Sequence, residues 1–295
     1  MLQKIPSPSS ADAMPASSGF SYTGSTVLIT GASSGLGAEF ARQLAPQAAL
    51  ILLAARSADA MEKLALELKG INSSLQVVVS PCDLATADGR AIFWQAVSTL
   101  PRKPDILINN AGLGDYGLFA AASEPRIQQQ IDLNITALTL LAREFLNHIQ
   151  PEASRPAAIL NVSSLASALP VPDLAVYAAT KSYVTSLTEA LAVELRSHHV
   201  FVSAVCPGPT PTNFGNNARR PGERDIDRGG QDMLKIPPQR VVKEALDNLE
   251  KGGRLVFPGK RVALAAFVFR VMPRALLRLA LNARFKRSLS KNTPA

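Results

Sequence analysis

The chain is poor in cysteine, histidine and aromatic residues: its 295 residues include two Cys, three His, one Trp, four Tyr and eleven Phe. Two cysteines, Cys82 and Cys206, cannot build a disulfide framework, and a reducing, cytoplasmic setting is expected. His148, His198 and His199 have no clustered Cys or carboxylate beside them, so no metal site is expected. No apolar run approaches the ~20 residues of a membrane-spanning helix. Residues 1–24 are rich in Ser and Pro and lack the apolar stretch of a secretory signal, so a disordered tail is expected there. Acids are absent from one end. Between Lys251 and Ala295 there are 11 Lys and Arg and no Asp or Glu. The chain carries 31 bases and 23 acids in all, so residues 1–250 hold 20 bases against those 23 acids. The excess charge is thus local. It argues against a nucleic-acid groove spread over the fold and for a partner of the terminal segment.

What is present is a core and a rhythm. Hydrophobic residues make up 47% of the chain, and short apolar runs alternate with amphipathic stretches. TVLIT (26–30), ALILLAA (49–55), VVV (77–79), DILIN (105–109), AAILNVS (157–163) and VFVSAV (200–205) read as buried strands. Helices are predicted near 36–44, 58–70 with Ser57 as N-cap, 86–99, 125–149 and 176–198. Fully apolar strands alternating with helices imply a parallel sheet covered on both faces, an α/β doubly wound, three-layer Rossmann-type single domain over residues 25–258. Residues 207–238 break the rhythm with six Pro, five Gly and nine charged residues, and are expected to form a substrate lid. A helix near 239–250 and a strand at 253–257 complete the domain. Residues 259–295 form a basic amphipathic extension.

Two clusters carry chemistry. At the first strand end stands Thr30-Gly31-Ala32-Ser33-Ser34-Gly35-Leu36-Gly37. Glycines permit a tight turn there, and the following helix N-terminus favours a pyrophosphate. The second strand ends in Ala55-Arg56-Ser57 with no carboxylate. Arg56 and Ser57 suit a ribose 2′-phosphate, where an acid would select the free hydroxyls. NADP(H) is therefore favoured, with NAD(H) as the other cofactor the cradle could take. The second cluster is Tyr177-x-x-x-Lys181, a spacing that puts both side chains on one helix face. A free Tyr has a pKa of about 10 and needs help to exchange a proton at neutral pH. Ser163 and Ser164, Asn109-Asn110-Ala111-Gly112 and Pro207-Gly208-Pro209-Thr210-Pro211-Thr212 all follow predicted strands, where an open parallel sheet binds its ligand. Asn134 is an unusual amide inside a predicted helix.

Together these motifs resemble the short-chain dehydrogenase/reductase family, in its single-domain, NADP-preferring branch, over about residues 24–257. The resemblance implies that Asn134, Ser164, Tyr177 and Lys181 form the catalytic set. It implies cofactor contacts from Gly31, Ser33, Ser34, Gly35, Leu36 and Gly37, from Arg56 and Ser57, and from Asp83 and Leu84 in the Cys82-Asp83-Leu84 run. Asn110, Ala111 and Gly112, together with Tyr177 and Lys181, are implied too. So are Pro207, Gly208, Thr210 and Thr212, with Thr212 meeting the carboxamide. Tyr177 would exchange the proton with the reacting oxygen, Ser164 would hydrogen-bond that oxygen, and Lys181 would lower the Tyr177 pKa. Asn134 would position a water in a relay to Lys181. Ser34 departs from the pattern, standing where many NADP-preferring members carry Arg or Lys.

The implied activity is hydride transfer between nicotinamide and a carbonyl or secondary alcohol. Leu165, Leu169, Tyr116, Phe214, Met233, Leu234 and Ile236 suggest an apolar substrate pocket. Arg219, Arg220, Arg224 and Arg228 could instead meet an anionic carrier, although a solvated loop is the simpler reading. A homodimer or homotetramer through the long helices is implied. The principal alternative is a non-catalytic dinucleotide sensor. A sugar-nucleotide epimerase would need a larger C-terminal domain. For the tail, packing on its own domain or on a second subunit competes with peripheral contact at an anionic membrane surface.

Overall fold

The computed structural model of the protein describes residues 20–220 and 232–292. Seven parallel strands form one sheet in the order β3-β2-β1-β4-β5-β6-β7. They are β1 (Thr26–Thr30), β2 (Leu50–Ala55), β3 (Gln76–Pro81), β4 (Ile106–Asn109), β5 (Ala157–Val162), β6 (Val200–Val205) and β7 (Leu255–Val256). Every residue of β1, β2, β4 and β5 is buried, which is why these strands read as unbroken apolar runs rather than alternating ones. Alternate side chains feed two cores. Val27, Ile29, Ile51 and Leu53 face one layer of helices, and Leu28, Leu52, Leu107 and Ile159 face the other.

The helices are α1 (Gly35–Leu44), α2 (Ala58–Ile71), α3 (Ala87–Ser98), α4 (Glu124–Ile131), α5 (Leu138–His148), α6 (Ala175–Glu194), α7 (Phe214–Asn217), α8 (Pro238–Glu250), α9 (Lys260–Val271) and α10 (Arg274–Asn292). The single helix expected at 125–149 is in fact α4 and α5 joined by a π-helical segment, Asp132–Ala137. Asn134 lies in that segment, fully buried. A π segment inside a helix widens it locally and commonly marks a functional position. Strand order reverses between β1 and β4, and the crevice at their carboxyl ends is where such sheets bind ligands.

The amino end departs from expectation. Phe20 and Tyr22, assigned by sequence to the tail, are buried. Phe20 N–H donates to the Glu250 carbonyl and the Tyr22 hydroxyl to the Leu246 carbonyl, so α8 captures this segment. Residues 1–19 lie outside the described residues. At the other end, Val262 and Ala266 of α9 belong to the domain's own core, so the extension begins as part of the fold. Pro273 separates α9 from α10, as its missing N–H predicts. No described helix is long and apolar enough to cross a membrane.

Candidate active site

The carboxyl ends of β1, β2, β4, β5 and β6 open on one cleft of about 730 Å³. Its cofactor half is built by close backbone packing. Gly31 has φ +64°, and a Cβ there would lie 2.8 Å from Ala111 Cα. A Cβ on Gly37 would overlap the Gly31 carbonyl. Gly35 has φ +58°, and Thr212 stands directly over it, 3.3 Å from the place a Cβ would take. Larger residues are therefore shut out of the turn. Thr30 binds the two strand ends together: its Oγ1 accepts from Asn110 N–H at 2.9 Å and Ala111 N–H at 3.0 Å and donates to Ile108 O. Asn110 Nδ2 donates to the Thr30 and Gly31 carbonyls at 2.9 and 3.1 Å. Ser34 is the N-cap of α1 but makes no side-chain capping bond, and the first turn carries no acid. The first amides of a ten-residue helix thus face the cleft uncapped by side chain, a setting that fits an anionic phosphate group.

Around this cradle, Gly31, Ser33, Ser34, Gly35, Leu36, Arg56, Ser57, Asp83 and Leu84 line the cleft, as do Asn110, Ala111, Gly112, Pro207, Gly208, Thr210 and Thr212. Gly37 does not line it and instead supplies room for the turn. Arg56 and Ser57 are exposed at its rim. Ser57 is the N-cap of α2 without a side-chain capping bond, so its hydroxyl is not consumed by the role that sequence suggested. Asp83 Oδ1 accepts from Ala85 N–H, fixing the turn into α3.

The structure brings Ser164, Tyr177 and Lys181 together in the same cleft. Ser163 and Ser164 point differently. Ser163 Oγ is buried and bonded to the Lys181 carbonyl and Thr185 Oγ1, so it holds α6, whereas Ser164 hydrogen-bonds Tyr177. Lys181 Nζ sits 5.7 Å from the Tyr177 ring centroid and donates to the Val162 carbonyl at 2.8 Å. Burial brings the Lys181 pKa from 10.5 down to about 8. Burial also pushes the Tyr177 phenol above its ordinary value, and the Ser164 hydrogen bond opposes this without reversing it. The lowered phenol pKa expected from Lys181 is therefore not what the protein alone displays. Desolvation of the phenolate is the largest cause, and it favours the protonated, proton-donating phenol.

Asn134 does not reach the cleft. Its Oδ1 accepts from Leu113 N–H at 2.8 Å, and its Nδ2 donates to Leu113 O and Thr180 Oγ1 at 2.9 and 3.0 Å. The side chain ties the π segment to the strand β4 exit and to α6. Only Gly112 separates it from the ammonium: a Cβ there would lie 3.4 Å from Lys181 Nζ and 3.5 Å from Asn134 Oδ1. Sequence reasoning missed the frame behind the site. Asn109 Nδ2 donates to Asn161 Oδ1 at 3.0 Å, and Asn161 Nδ2 donates to Thr188 Oγ1 at 2.9 Å, a buried polar chain from β4 through β5 to α6. A polar residue inside an all-apolar strand, Asn161 in AAILNV, is the signal that could have revealed it.

The other half of the cleft is apolar, lined by Leu165, Leu169, Val171, Leu174, Tyr116, Phe214 and Leu234. The Phe214 ring lies 5.4 Å from that of Tyr177. Two of the expected lining residues are elsewhere: Met233 is solvent-exposed, and Ile236 is buried against Gly259 in the core. Phe269 of α9, not anticipated, lines the cleft in their place. Of the four arginines, Arg219 lines the cleft, while Arg224 and Arg228 lie outside the described residues. Arg220 forms a two-pronged pair with buried Asp115 at 3.0 and 2.7 Å, so it fastens the segment after α7 to the loop after β4 rather than awaiting a carrier. Among the described residues no group of three or more His, Cys, Asp or Glu could hold a metal ion.

Comparison with known proteins agrees with this geometry. A family model described as "short chain dehydrogenase" matches residues 25–222. "Dehydrogenase/reductase SDR family member 11" of Gallus gallus is 34% identical over 197 residues, covering 65% of this chain and 77% of that protein. A short-chain dehydrogenase from Sphingobium yanoikuyae, solved in complex with NADPH, superposes with a TM-score of 0.68 at 28% identity, over 92% of this chain and 96% of that one. A 3-ketoacyl-(acyl-carrier-protein) reductase from Brucella melitensis complexed with NADH gives 0.69 at 26% identity, over 82% and 100%. With matches across two thirds of its length and a glycine cradle facing a Ser-Tyr-Lys cluster, this chain belongs to the short-chain dehydrogenase/reductase family of oxidoreductases.

Proposed function

We propose that the protein is an NADPH-dependent reductase of hydrophobic ketones or acyl carbonyls. One observation carries the reading: Ser164, Tyr177 and Lys181 face a cleft whose one half is a phosphate-fitting glycine cradle and whose other half is apolar. A nicotinamide dinucleotide, when bound, supplies the hydride. Gly31, Gly35 and the α1 amides would hold its pyrophosphate, and Arg56 with Ser57 would meet a 2′-phosphate. The free position of Ser57 and the absence of an acid at the β2 end support the phosphorylated cofactor.

The remaining roles belong to side chains. Ser164 donates a hydrogen bond to the substrate oxygen and stabilises its developing charge. Tyr177, held neutral by burial, gives that oxygen its proton. Lys181, with a pKa lowered to about 8, is poised to return the proton to the phenol oxygen at neutral pH. Asn134 is a positioning residue, keeping the π segment and Gly112 against Lys181. Phe214 and Leu169 exclude water from the reacting carbon. Leu140, Tyr183 and Val193 are exposed on α5 and α6, which supports a homodimer or homotetramer through that face. The test is NADPH consumption across a panel of aliphatic, aromatic and steroid-like ketones. Turnover of apolar ketones is expected, and NADPH binding without turnover of any carbonyl would instead make the chain a dinucleotide sensor.

A further inference from the structure

The helix α9 has two apolar faces. Val262, Ala266 and Phe269 recur at helical spacing on one side and enter the core and the cleft wall. Leu264, Phe267, Val268 and Val271 recur at i, i+3, i+4 and i+7 on the opposite side, and Leu264 and Phe267 are 64% and 63% exposed. In α10, Leu277 is buried while Leu276 and Leu279 are exposed. Single exposed apolar residues are ordinary on protein surfaces, but a continuous stripe is not. The stripe sits among bases. Lys260, Arg261, Arg274 and Arg278 are exposed, Arg270 pairs with Glu189 at 3.5 Å, and no acid occurs from Lys251 to Ala295.

We infer that the outer face of α9 and the start of α10 docks on an anionic lipid surface. Apolar side chains with interspersed cations and no acid match an acyl boundary beneath anionic headgroups. A second copy of the chain is the poorer partner, because a two-fold pairing through this face would set one acid-free basic segment against another. Location gives the docking a consequence. Phe269 lines the catalytic cleft from the inner face of the same helix that presents Phe267 outward, so a docked α9 puts the apolar end of the cleft beside the bilayer. An apolar substrate partitioned into lipid would then reach the cleft without crossing water. The docking itself is independent of which reaction the cleft performs.

The experiment uses the full chain with two vesicle compositions, phosphatidylcholine alone and phosphatidylcholine mixed with phosphatidylglycerol, each at low and high salt. Wild-type protein is expected to co-sediment with the mixed vesicles at low salt, and to be released by salt or by removing phosphatidylglycerol. L264S/F267S and R274E/R278E are each expected to bind at least about tenfold more weakly. Both variants should keep wild-type circular dichroism and wild-type turnover of a water-soluble ketone, because none of the four residues lines the cleft. Light scattering of wild type and L264S/F267S should give the same mass. Wild-type protein remaining in the supernatant with anionic vesicles would overturn the inference. So would unchanged binding by both variants, or a lower mass for L264S/F267S, which would show that a second subunit covers the stripe.

Discussion

Lys181 is a cation placed where a cation is costly, and the cost has a pH signature. It is 3% exposed, and burial lowers its pKa from 10.5 to about 8. Between those values the unfolded chain holds the proton more tightly than the folded protein does. The folded state therefore bears the full penalty below about pH 8, recovers as pH rises from there, and bears none above about 10.5. The difference corresponds to about 3 kcal/mol. Lys181→Met keeps an unbranched side chain, one atom shorter, and removes the charge. It also removes the bond to the Val162 carbonyl at 2.8 Å, a loss of about 1–3 kcal/mol that does not change with pH. The sign of the difference between wild type and variant at a single pH is thus set by two opposing effects of similar size. Its slope is set by one. Wild-type stability minus variant stability should rise by about 2–3 kcal/mol from about pH 7 to about pH 10. Urea unfolding of both proteins without cofactor, across that range, measures it, and groups that titrate alike in both cancel. A flat difference would mean that Lys181 is not desolvated when protonated. A falling one would mean that an anion near it was overlooked.

The other predictions address the cleft. Tyr177→Phe removes the transferable proton and keeps the ring against Phe214, so turnover should fall about 10²–10⁴-fold while NADPH titration by fluorescence changes little; near-normal turnover would remove Tyr177 from proton transfer. Arg56→Ala should weaken NADPH by about 10- to 100-fold, from the loss of a charge-assisted bond of roughly 1.5–3 kcal/mol, and leave NADH nearly unaffected, and equal losses for both would show that Arg56 does not read the phosphate. Asp115, 3% exposed at its side chain, joins the loop after β4 to the segment after α7 through Arg220 and lies 3.5 Å from Arg126. Asp115→Ala should raise KM for bulky ketones about tenfold or more with a smaller change in kcat, Asp115→Asn lying between. A fall in Tm with KM unchanged would make the pair a stability element only.

Legibility in the sequence followed the range of the contacts. β6 is Val200–Val205 in both readings, because a strand buried on both faces is apolar at nearly every position, Ser203 here being the exception. The glycine cradle was legible for a similar reason. Gly31, Gly35 and Gly37 satisfy steric demands set within seven residues of chain and by two neighbouring turns, at Asn110–Ala111 and Thr212. The π segment at Asp132–Ala137 was not legible, since the apolar spacing on either side of it is that of one ordinary helix. Phe20 and Tyr22 were misread for the opposite reason. Their local company is Ser-rich, and the partners that capture them, Glu250, Leu246 and Phe201, are far away along the chain.

The same distinction explains why the family is plain in this sequence and the substrate is not. Each part of the cofactor half and of the Ser-Tyr-Lys cluster lies at a strand end or at the start of a helix, so a regular pattern announces it. The substrate half has no such grammar. Tyr116, Leu169, Phe214 and Phe269 come from four separate segments, and the Asp115–Arg220 pair spans 105 residues. Met233 and Ile236 look alike in sequence, yet one is solvated and the other packs on Gly259. Phe269 looks like one more apolar residue in VALAAFVF, yet it alone of that helix lines the cleft while Phe267, two positions earlier, faces out. Two positions along a helix turn a side chain through about 200°, enough to separate the wall of a catalytic cleft from a surface offered to lipid.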